Sequence, residues 1–340
     1  MRTIQQNCQP VTFEQLRSAL LNHLAEMPSF CSIKEISLLC PPKPIADDLT
    51  KLLVKDQEGK PAVVILCSPT AFPQLVAHYM EKTRLAQAAL SPTLSHIVLT
   101  PLFEGEVCGL SYAVLPYHQP LREDKLGWYL QRLQRSPEMF KLVHQITELT
   151  CTPASAEEVE TNFVCPLEHL IELEVMPEQI RGSAKDALKR LKTGEWKPRH
   201  VLMHNDFWKG NILLNRDVPQ TEKNWQNRFV IIDWTGSNVK GYPIYDLIRL
   251  AHSMGTKPTA LFTQLNAHCC ILDCHFDDAR SYFMAALGYL SMNLECFPLE
   301  WFVKCAKTWV DELEAVYRLP ETKKAALLPV CKPQMQFAKP

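Results

Sequence analysis

The chain has 340 residues, of which 46% are hydrophobic and 21% charged, and its formal net charge is −1 at pH 7. This length suits two lobes with sizeable cores, and the composition is typical of a soluble globular protein. The near-zero charge gives no electrostatic basis for binding nucleic acid, so none is expected as a partner. No apolar run approaches the roughly 20 residues of a spanning helix, so no membrane insertion is expected.

The N-terminal segment and the cysteines indicate the cellular compartment of the protein. The first residues, MRTIQQNCQPVTFEQL, lack the apolar core of a signal peptide. Most of the thirteen cysteines lie inside apolar segments, as Cys67 does after VVIL and Cys305 does within FVKCAK. That placement suits buried thiols in a reducing compartment better than a disulfide framework. We therefore expect a cytoplasmic protein.

The N-terminal third of the chain predicts a small β-sheet with two helices. Residues 11–30 show apolar residues at helical spacing, whereas KEISLLC, LTKLLVKD and PAVVILC are typical of strands. The EGK segment between the last two strands indicates a hairpin. A strongly helical segment, FPQLVAHYMEKTRLAQAAL, then precedes two further strands, SHIVLTPLFEGEV and GLSYAVLPY.

From about residue 121 the apolar spacing becomes helical. Candidate helices are LREDKLGWYLQRL, EMFKLVHQITELT, CPLEHLIELE, AKDALKRLKT, IYDLIRLAHSMG, PTALFTQLNAHCCILD, DDARSYFMAALGYLSMNL and LEWFVKCAKTWVDELEAVYRL. The tail after Leu319 is rich in Pro and Lys and is expected to be frayed. We therefore expect an α+β protein with an antiparallel β N-lobe (residues 1–118) and a mainly helical C-lobe (residues 119–340).

The segment HNDFWKGNILL contains Asp206 followed, after four residues, by Asn211, and the apolar run FVII ends at Asp233. Phosphoryl transfer from a nucleotide needs this combination of residues. One carboxylate orients the acceptor hydroxyl and takes its proton, while an amide oxygen and a second carboxylate hold Mg²⁺. The spacing from Asp206 to Asn211 equals that of the kinase pattern H-x-D-x-x-x-x-N.

The residues of these motifs resemble those of one branch of the kinase-like proteins. His-Asn-Asp, the Gly-Asn-Ile-Leu tail, Ile-Asp-Trp in place of Asp-Phe-Gly, and the later GYPIYDLIRL are similar to the aminoglycoside phosphotransferase and choline/ethanolamine kinase group. Only a dozen residues separate Asp233 from Asp246, so a long activation segment for docking a protein substrate has little room. The resemblance is specific over Val201–Leu250 and extends more weakly over most of the chain.

The resemblance implies a two-lobed protein-kinase-like fold with ATP and Mg²⁺ as cofactors. It places a catalytic loop at residues 204–211 and a metal turn at residues 233–236. Within these segments Asp206 would be the catalytic base, and Asn211 and Asp233 the metal ligands.

Two further side chains near these motifs have expected roles. Lys209 is a candidate for contacting a phosphate or the acceptor, although a solvated lysine fits the sequence equally well. Asp246 is expected to brace the catalytic loop by accepting hydrogen bonds, rather than to take part in the chemistry.

The lysine that normally ends the third strand of this fold and binds the α- and β-phosphates is missing. Alignment places Cys67 at its position and Glu81 as the helix glutamate that would pair with it. Lys51, on the neighbouring strand and expected to share a cleft with position 67, is the first candidate replacement, and Lys55 is the second. The missing lysine is also consistent with a shifted alignment or with a catalytically impaired pseudokinase.

These features predict transfer of the γ-phosphate of ATP to a hydroxyl of a small molecule. An aminoglycoside, an amino alcohol such as choline, and a sugar all remain open as acceptors. A cationic acceptor needs carboxylates and aromatic rings, for which the C-terminal helices offer Glu295, Glu300, Trp301, Trp309, Asp311, Glu312 and Tyr317. The alternative function is a pseudokinase that acts as a nucleotide-binding or scaffold module.

Overall fold

The computed structural model describes residues 12–25, 33–41, 47–219, 221–294 and 297–327. The chain divides into two compact units. The first comprises Met1–Ala88, Ser95–Pro120 and Leu213–Gly236, and the second comprises Ala89–Leu94, Leu121–Ile212 and Ser237–Pro340. The segment Leu213–Gly236, which the sequence division assigned to the C-lobe, therefore clusters with the first unit.

The helices and strands follow in chain order. Up to residue 120 they are α1 (Phe13–Ala25), β1 (Ile33–Leu38), β2 (Thr50–Asp56), β3 (Pro61–Cys67), α2 (Leu75–Ala89), β4 (Phe103–Val107), β5 (Leu110–Pro116) and β6 (Gln119–Pro120). The others are α3 (Lys125–Thr150), β7 (Thr152–Pro153), α4 (Ala156–Val159), α5 (Cys165–Glu172), α6 (Glu178–Lys192), β8 (Arg199–Met203), β9 (Ile212–Leu214), β10 (Phe229–Ile231), β11 (Asn238–Gly241), α7 (Tyr245–Met254), α8 (Pro258–Leu272), α9 (Asp278–Met292), α10 (Leu299–Tyr317) and α11 (Glu321–Leu327).

The first unit is built on a five-stranded antiparallel sheet with the strand order β1-β2-β3-β5-β4. Because successive side chains of a strand point to opposite faces, each face has its own core. One core joins α1 to alternate strand residues, among them Leu52, Ile65 and Cys67. The other core joins α2 to Ala113 and Leu115, with Leu66 packed against it.

Helix α2 is fixed to the sheet by two buried hydroxyl groups. Ser68 follows β3 and Ser111 lies in β5, and their Oγ atoms are 2.7 Å apart. The backbone N–H of Val76 donates to Ser68 Oγ at 2.9 Å, and that of Ala77 donates to Ser111 Oγ at 3.2 Å. N–H groups in the first turn of a helix have no partner within the helix, so these hydroxyls serve as its cap.

The segment Leu213–Gly236 joins the first unit through backbone pairing. In the three-stranded sheet β10-β9-β6, Leu214 pairs with Gln119. The N–H of Leu99 also donates to the carbonyl oxygen of Ile231 at 3.1 Å. This pairing explains why the segment that follows residues 204–211 clusters with the N-terminal residues.

The second unit is mainly helical, with the small antiparallel sheet β11-β8-β7. Helix α9 is its central element, and a continuous run of its residues from Ser281 to Gly288 is buried. An aromatic cluster of Phe163, Trp196 and Tyr282 lies beside this helix, with neighbouring ring centroids 5.1–6.5 Å apart. The predicted α+β class, an antiparallel sheet followed by helices, is confirmed.

The segment SHIVLTPLFEGEV, predicted as one strand, forms a short 3-10 helix at Ser95–Ile97 and the strand β4. Two further differences from the sequence prediction concern helices. LREDKLGWYLQRL and EMFKLVHQITELT, expected as separate helices, form the single helix α3, which continues through Pro137. Arg135 and Met139 are buried on either side of this proline, so packing holds the two halves together despite the missing N–H. The tail after Leu319, expected to be frayed, forms α11 as far as Leu327. No helix among the described residues is both long and apolar enough to cross a bilayer.

Gly288 lies where α9 meets α5, and a Cβ at this position would overlap the carbonyl oxygen of Pro166. We expect Gly288→Ala to lower the free energy of unfolding by about 1–3 kcal/mol, because the helices must move apart. Gly182 in α6 is the matched control, since a Cβ there meets no atom within 4 Å. Gly182→Ala should raise stability by about 0.5–1 kcal/mol. Urea denaturation measures both changes, and a stabilising Gly288→Ala would contradict the close contact.

Candidate active site

The segment 204–211 follows the buried strand β8 and is held at its start by Asp246, the second residue of α7. The backbone N–H groups of His204 and Asn205 donate to the two Asp246 carboxylate oxygens at 2.6 and 3.0 Å. Asn205 has a φ of 76°, a conformation that Asn adopts more readily than most residues. The expectation that Asp246 braces this loop by accepting hydrogen bonds is confirmed.

The environment of Asp246 favours a structural role. Burial raises the pKa of its carboxyl to about 7, while the backbone N–H groups of His204 and Asn205 act in the opposite direction. Both carboxylate oxygens are already engaged by the loop. Asp246 therefore fixes the backbone from which Asp206 projects.

Asp206 and Asn211 are brought together within the second unit. The Asn211 side-chain nitrogen donates to the backbone carbonyl of Asp206 at 2.9 Å and to its carboxylate at 3.1 Å. Asn211 is buried, whereas the Asp206 side chain is 48% exposed. Because the amide of Asn211 uses its nitrogen to hold the loop, its oxygen can still serve as a ligand.

Arg249 also lies in the site, although it was not among the site residues predicted from the sequence. Its Nη2 lies 2.5 Å from Asp206 Oδ1, and its guanidinium lies over the Trp309 ring at 4.5 Å from the centroid. A signal for it was present, because Arg249 stands three residues after Asp246 and residues at that spacing share one face of a helix. If Asp246 faces the loop, Arg249 does so as well.

Lys209 lies next to an aromatic ring of the same unit. Its backbone N–H donates to Ser253 Oγ at 3.0 Å, which ties the loop to the end of α7. Its Nζ is 4.3 Å from the centroid of the Trp128 ring. Within the described residues, no carboxylate lies within ion-pair distance of this ammonium.

The turn at residues 233–236 belongs to the first unit and follows β10. Asp233 is exposed and has a φ of 64°, and one of its carboxylate oxygens accepts a hydrogen bond from Thr235 Oγ1 at 3.0 Å. The buried Trp234 donates from its indole nitrogen to the Ile231 carbonyl at 3.1 Å. The turn therefore presents a carboxylate to solvent on a backbone fixed by a buried ring.

The expected positions of Cys67 and Lys51 need a correction. Cys67 lies in the core on the α1 face of the sheet, where burial raises the pKa of its thiol to about 12. Lys51 pairs with Leu66, and Thr50 pairs with Cys67, so Lys51 points to the opposite, α2-facing side. The sequence prediction placed Cys67 at the lysine position and Lys51 on the same face of the sheet. This was wrong, because Cys67 and Lys51 lie on opposite faces, and a shift of one residue along a strand changes the face.

Lys55 and Glu81 are the other two residues that the sequence suggested for binding the nucleotide. Lys55 forms an ion pair with Glu35 on β1 at 3.2 Å, so its charge is already compensated. Glu81 is exposed on α2, away from the buried residues Val76 and Met80. Within the described part of the chain Glu81 has no ion-pair partner, so the structure does not contain a lysine–glutamate pair on this helix.

The residues of the candidate site lie in a part of the chain that matches a known protein family. The model of the phosphotransferase enzyme family, APH, matches residues 46–270 of the 340-residue chain. The chain belongs to this family. The resemblance to aminoglycoside phosphotransferases and choline/ethanolamine kinases is confirmed, and the matched region includes Asp206, Asn211, Asp233 and Asp246. Family membership supports a small-molecule phosphotransferase.

Solved structures of low sequence identity resemble this chain. Choline kinase LicA from Streptococcus pneumoniae is 13% identical, with 88% of this chain and 99% of that chain covered and a TM-score of 0.49. A choline/ethanolamine kinase family protein from Mesorhizobium loti is 12% identical, with 92% and 98% covered and a TM-score of 0.44. A thermostable mutant of aminoglycoside phosphotransferase APH(4)-Ia is 15% identical, with 85% and 98% covered and a TM-score of 0.46. No curated protein matches the chain.

Removing the Asp246 carboxylate should destabilise the phosphotransferase. In Asp246→Ala the N–H groups of His204 and Asn205 lose their acceptors, and we expect the free energy of unfolding to fall by about 1–3 kcal/mol. Asp246→Asn, which retains one accepting oxygen, should lose less. The exposed Asp311→Ala is the control and should unfold like the wild type. Equal stability of Asp246→Ala and wild type in chemical denaturation would contradict the bracing role.

Proposed function

We propose that this protein transfers the γ-phosphate of ATP to a hydroxyl group of a small molecule, with Asp206 as the catalytic base. The observation that carries the proposal is the arrangement of Asp206. Its carboxylate is half exposed, yet it is held between the Asn211 amide and the Arg249 guanidinium on a braced loop. A catalytic base needs such an accessible but fixed carboxylate.

In the proposed reaction the acceptor hydroxyl oxygen attacks the γ-phosphorus and forms a new P–O bond. The bond between the γ-phosphorus and the β,γ-bridging oxygen breaks, and ADP leaves with that oxygen. Asp206 accepts the hydroxyl proton and later releases it to solvent. The Arg249 guanidinium contacts one oxygen of the Asp206 carboxylate and so fixes the direction of the group that accepts this proton.

The chain offers two suitable ligands for Mg²⁺, namely Asn211 and Asp233, which would hold the ion. Both provide hard oxygen atoms, as Mg²⁺ prefers. Asn211 uses its nitrogen to hold the loop, and Asp233 uses one carboxylate oxygen for Thr235, so each retains an oxygen for a cation. When bound, Mg²⁺ would supply charge neutralisation for the phosphates.

Cations of the protein would also contact the phosphates, and we propose Lys51 and Lys209 for this role. Neither lysine forms an ion pair within the described residues, in contrast to Lys55. Glu81 remains a candidate for the nucleotide site, although its exposed position provides no contact that supports it. The pseudokinase alternative depended on the missing lysine of the third strand, and β3 (PAVVILC) has no lysine on either face. The proposal therefore gives the phosphate contact to Lys51 and Lys209, and family membership favours a phosphotransferase over this alternative.

Replacing the base tests the proposal directly. Asp206→Asn should reduce turnover by about 10²–10⁴-fold while nucleotide affinity changes little, because base catalysis contributes about this factor. Calorimetric titration with ATP, with and without Mg²⁺, should show tighter binding with the metal, and Asp233→Ala should abolish that difference. Near-normal turnover of Asp206→Asn would refute its role as base. Unchanged metal dependence in Asp233→Ala would place the metal elsewhere.

The two lysines of β2 form a matched pair for testing phosphate binding. Lys51→Met should raise KM for ATP by about tenfold or more, since hydrogen bonds to charged groups contribute roughly 1.5–3 kcal/mol. Lys55→Met, which removes a lysine already paired with Glu35, should leave KM for ATP within about twofold. Steady-state kinetics with varied ATP measures both values. Equal effects of the two changes would exclude a specific role for Lys51.

A further inference from the structure

Arg249 is an arginine with unused hydrogen-bond capacity beside the candidate base. Its Nη2 contacts Asp206, and its Nη1 makes no hydrogen bond with any described residue, whereas its unpartnered Nε is buried. A guanidinium carries five N–H donors in a planar arrangement that matches carboxylate and phosphate oxygens. Arg249 is therefore equipped to bind an oxyanion next to the position where the acceptor hydroxyl meets Asp206.

The guanidinium is also held in place before any ligand binds. Its Cζ lies over the Trp309 ring, 4.5 Å from the centroid, and its side chain is only 19% exposed. The Trp309 ring is itself fixed between Tyr245 and His252, with centroid distances of 6.0 and 6.4 Å. A cation fixed in this way loses little conformational entropy on binding an anion.

The same region is poorly equipped to bind a cationic acceptor. The aromatic rings of α10 that would suit an ammonium group already have cations of the protein beside them. Arg249 lies over Trp309, Arg280 over Tyr317, and Lys304 over Trp301, at 4.5, 4.0 and 5.3 Å from the ring centroids.

Two of the four carboxylates of α10 are also engaged, while the other two, Glu300 and Asp311, are exposed. Glu312 contacts His252 Nδ1 at 2.8 Å, and Glu314 forms an ion pair with Arg280 at 2.9 Å. Glu295, another candidate for binding a cation, lies outside the described residues. An ammonium group beside Asp206 would also face the positive charge of Arg249.

We infer that the acceptor of this phosphotransferase carries an oxyanion, a carboxylate or a phosphate, within a few bonds of its reacting hydroxyl, and that Arg249 binds it. The short distance follows from the direct contact between Arg249 and Asp206. Small hydroxy acids and hydroxyalkyl phosphates are the compounds that fit. This inference rests on the proposed function, since it specifies the acceptor for the same base.

Four acceptors with one three-carbon skeleton test this inference. Glycerate and glycerol 3-phosphate carry an oxyanion, glycerol is neutral, and 3-amino-1,2-propanediol carries an ammonium group. We expect kcat/KM for at least one oxyanion acceptor to exceed that for glycerol by about tenfold or more, with the amine the poorest. Whether glycerate or glycerol 3-phosphate is preferred identifies the source of the oxyanion.

Substitution of Arg249 then assigns the preference to one residue. In Arg249→Gln, kcat should fall for every acceptor because Arg249 also holds Asp206, but KM for the preferred oxyanion acceptor should rise by about 10–100-fold relative to KM for glycerol. Arg249→Lys should recover part of the preference, because it restores the charge without the planar donors. Arg280→Gln is the matched control. Arg280 also stacks on an aromatic ring and pairs with a carboxylate, but not with Asp206, so the preference should persist.

The outcomes separate this inference from the proposed function. Preference for the amine, an oxyanion preference that survives in Arg249→Gln, or a loss of kcat for every acceptor without a selective rise in KM for the oxyanion acceptor would overturn the inference. The last result would show that Arg249 only positions Asp206. Failure to phosphorylate any of the four compounds, in a protein that binds Mg²⁺ and ATP, would also overturn it. A protein that neither binds the nucleotide nor transfers phosphate would refute the proposed function itself.

Discussion

The paired hydrogen bonds from the His204 and Asn205 backbone to the Asp246 carboxylate are the constraint on which the candidate site depends. Without an acceptor, two partly buried N–H groups would lose their partners, and the left-handed conformation of Asn205 would lack support. Asp246 opens α7, and Arg249 follows one turn later to contact Asp206. One short helix thus orients both the backbone of the loop and the carboxylate it presents.

Much of this site was predictable from the sequence because it depends on local spacing. The pattern D-x-x-x-x-N places Asn211 where its amide can close the loop on Asp206, and the structure contains those contacts. The strands of the first sheet followed from their alternating or continuous apolar runs. The role of Asp246 followed from the resemblance, because the similar proteins carry a second Asp that begins a helix after the second motif.

The parts that were not predicted depend on tertiary structure. In PAVVILC every side chain is apolar, so the sequence does not show which residues face α1 and which face α2. A shift of one residue exchanges the two faces, which is how Cys67 was assigned to the wrong side. The pairing of Arg249 with Asp206 joins residues 43 positions apart, and only the folded chain reveals it. Helix α3 likewise continues through Pro137 because packing outweighs the local signal.

The hydroxyl cap of α2 has a consequence for how this helix can move. In protein kinases, the position of the corresponding helix governs whether a lysine–glutamate pair can form, and activation depends on that position. Here Ser68 and Ser111, one after β3 and one within β5, anchor the first turn of the helix to the sheet, and Glu81 faces solvent. A helix tied to two strands in this way cannot swing independently of them. A change in the position of this helix would therefore require β3 and β5 to move with it.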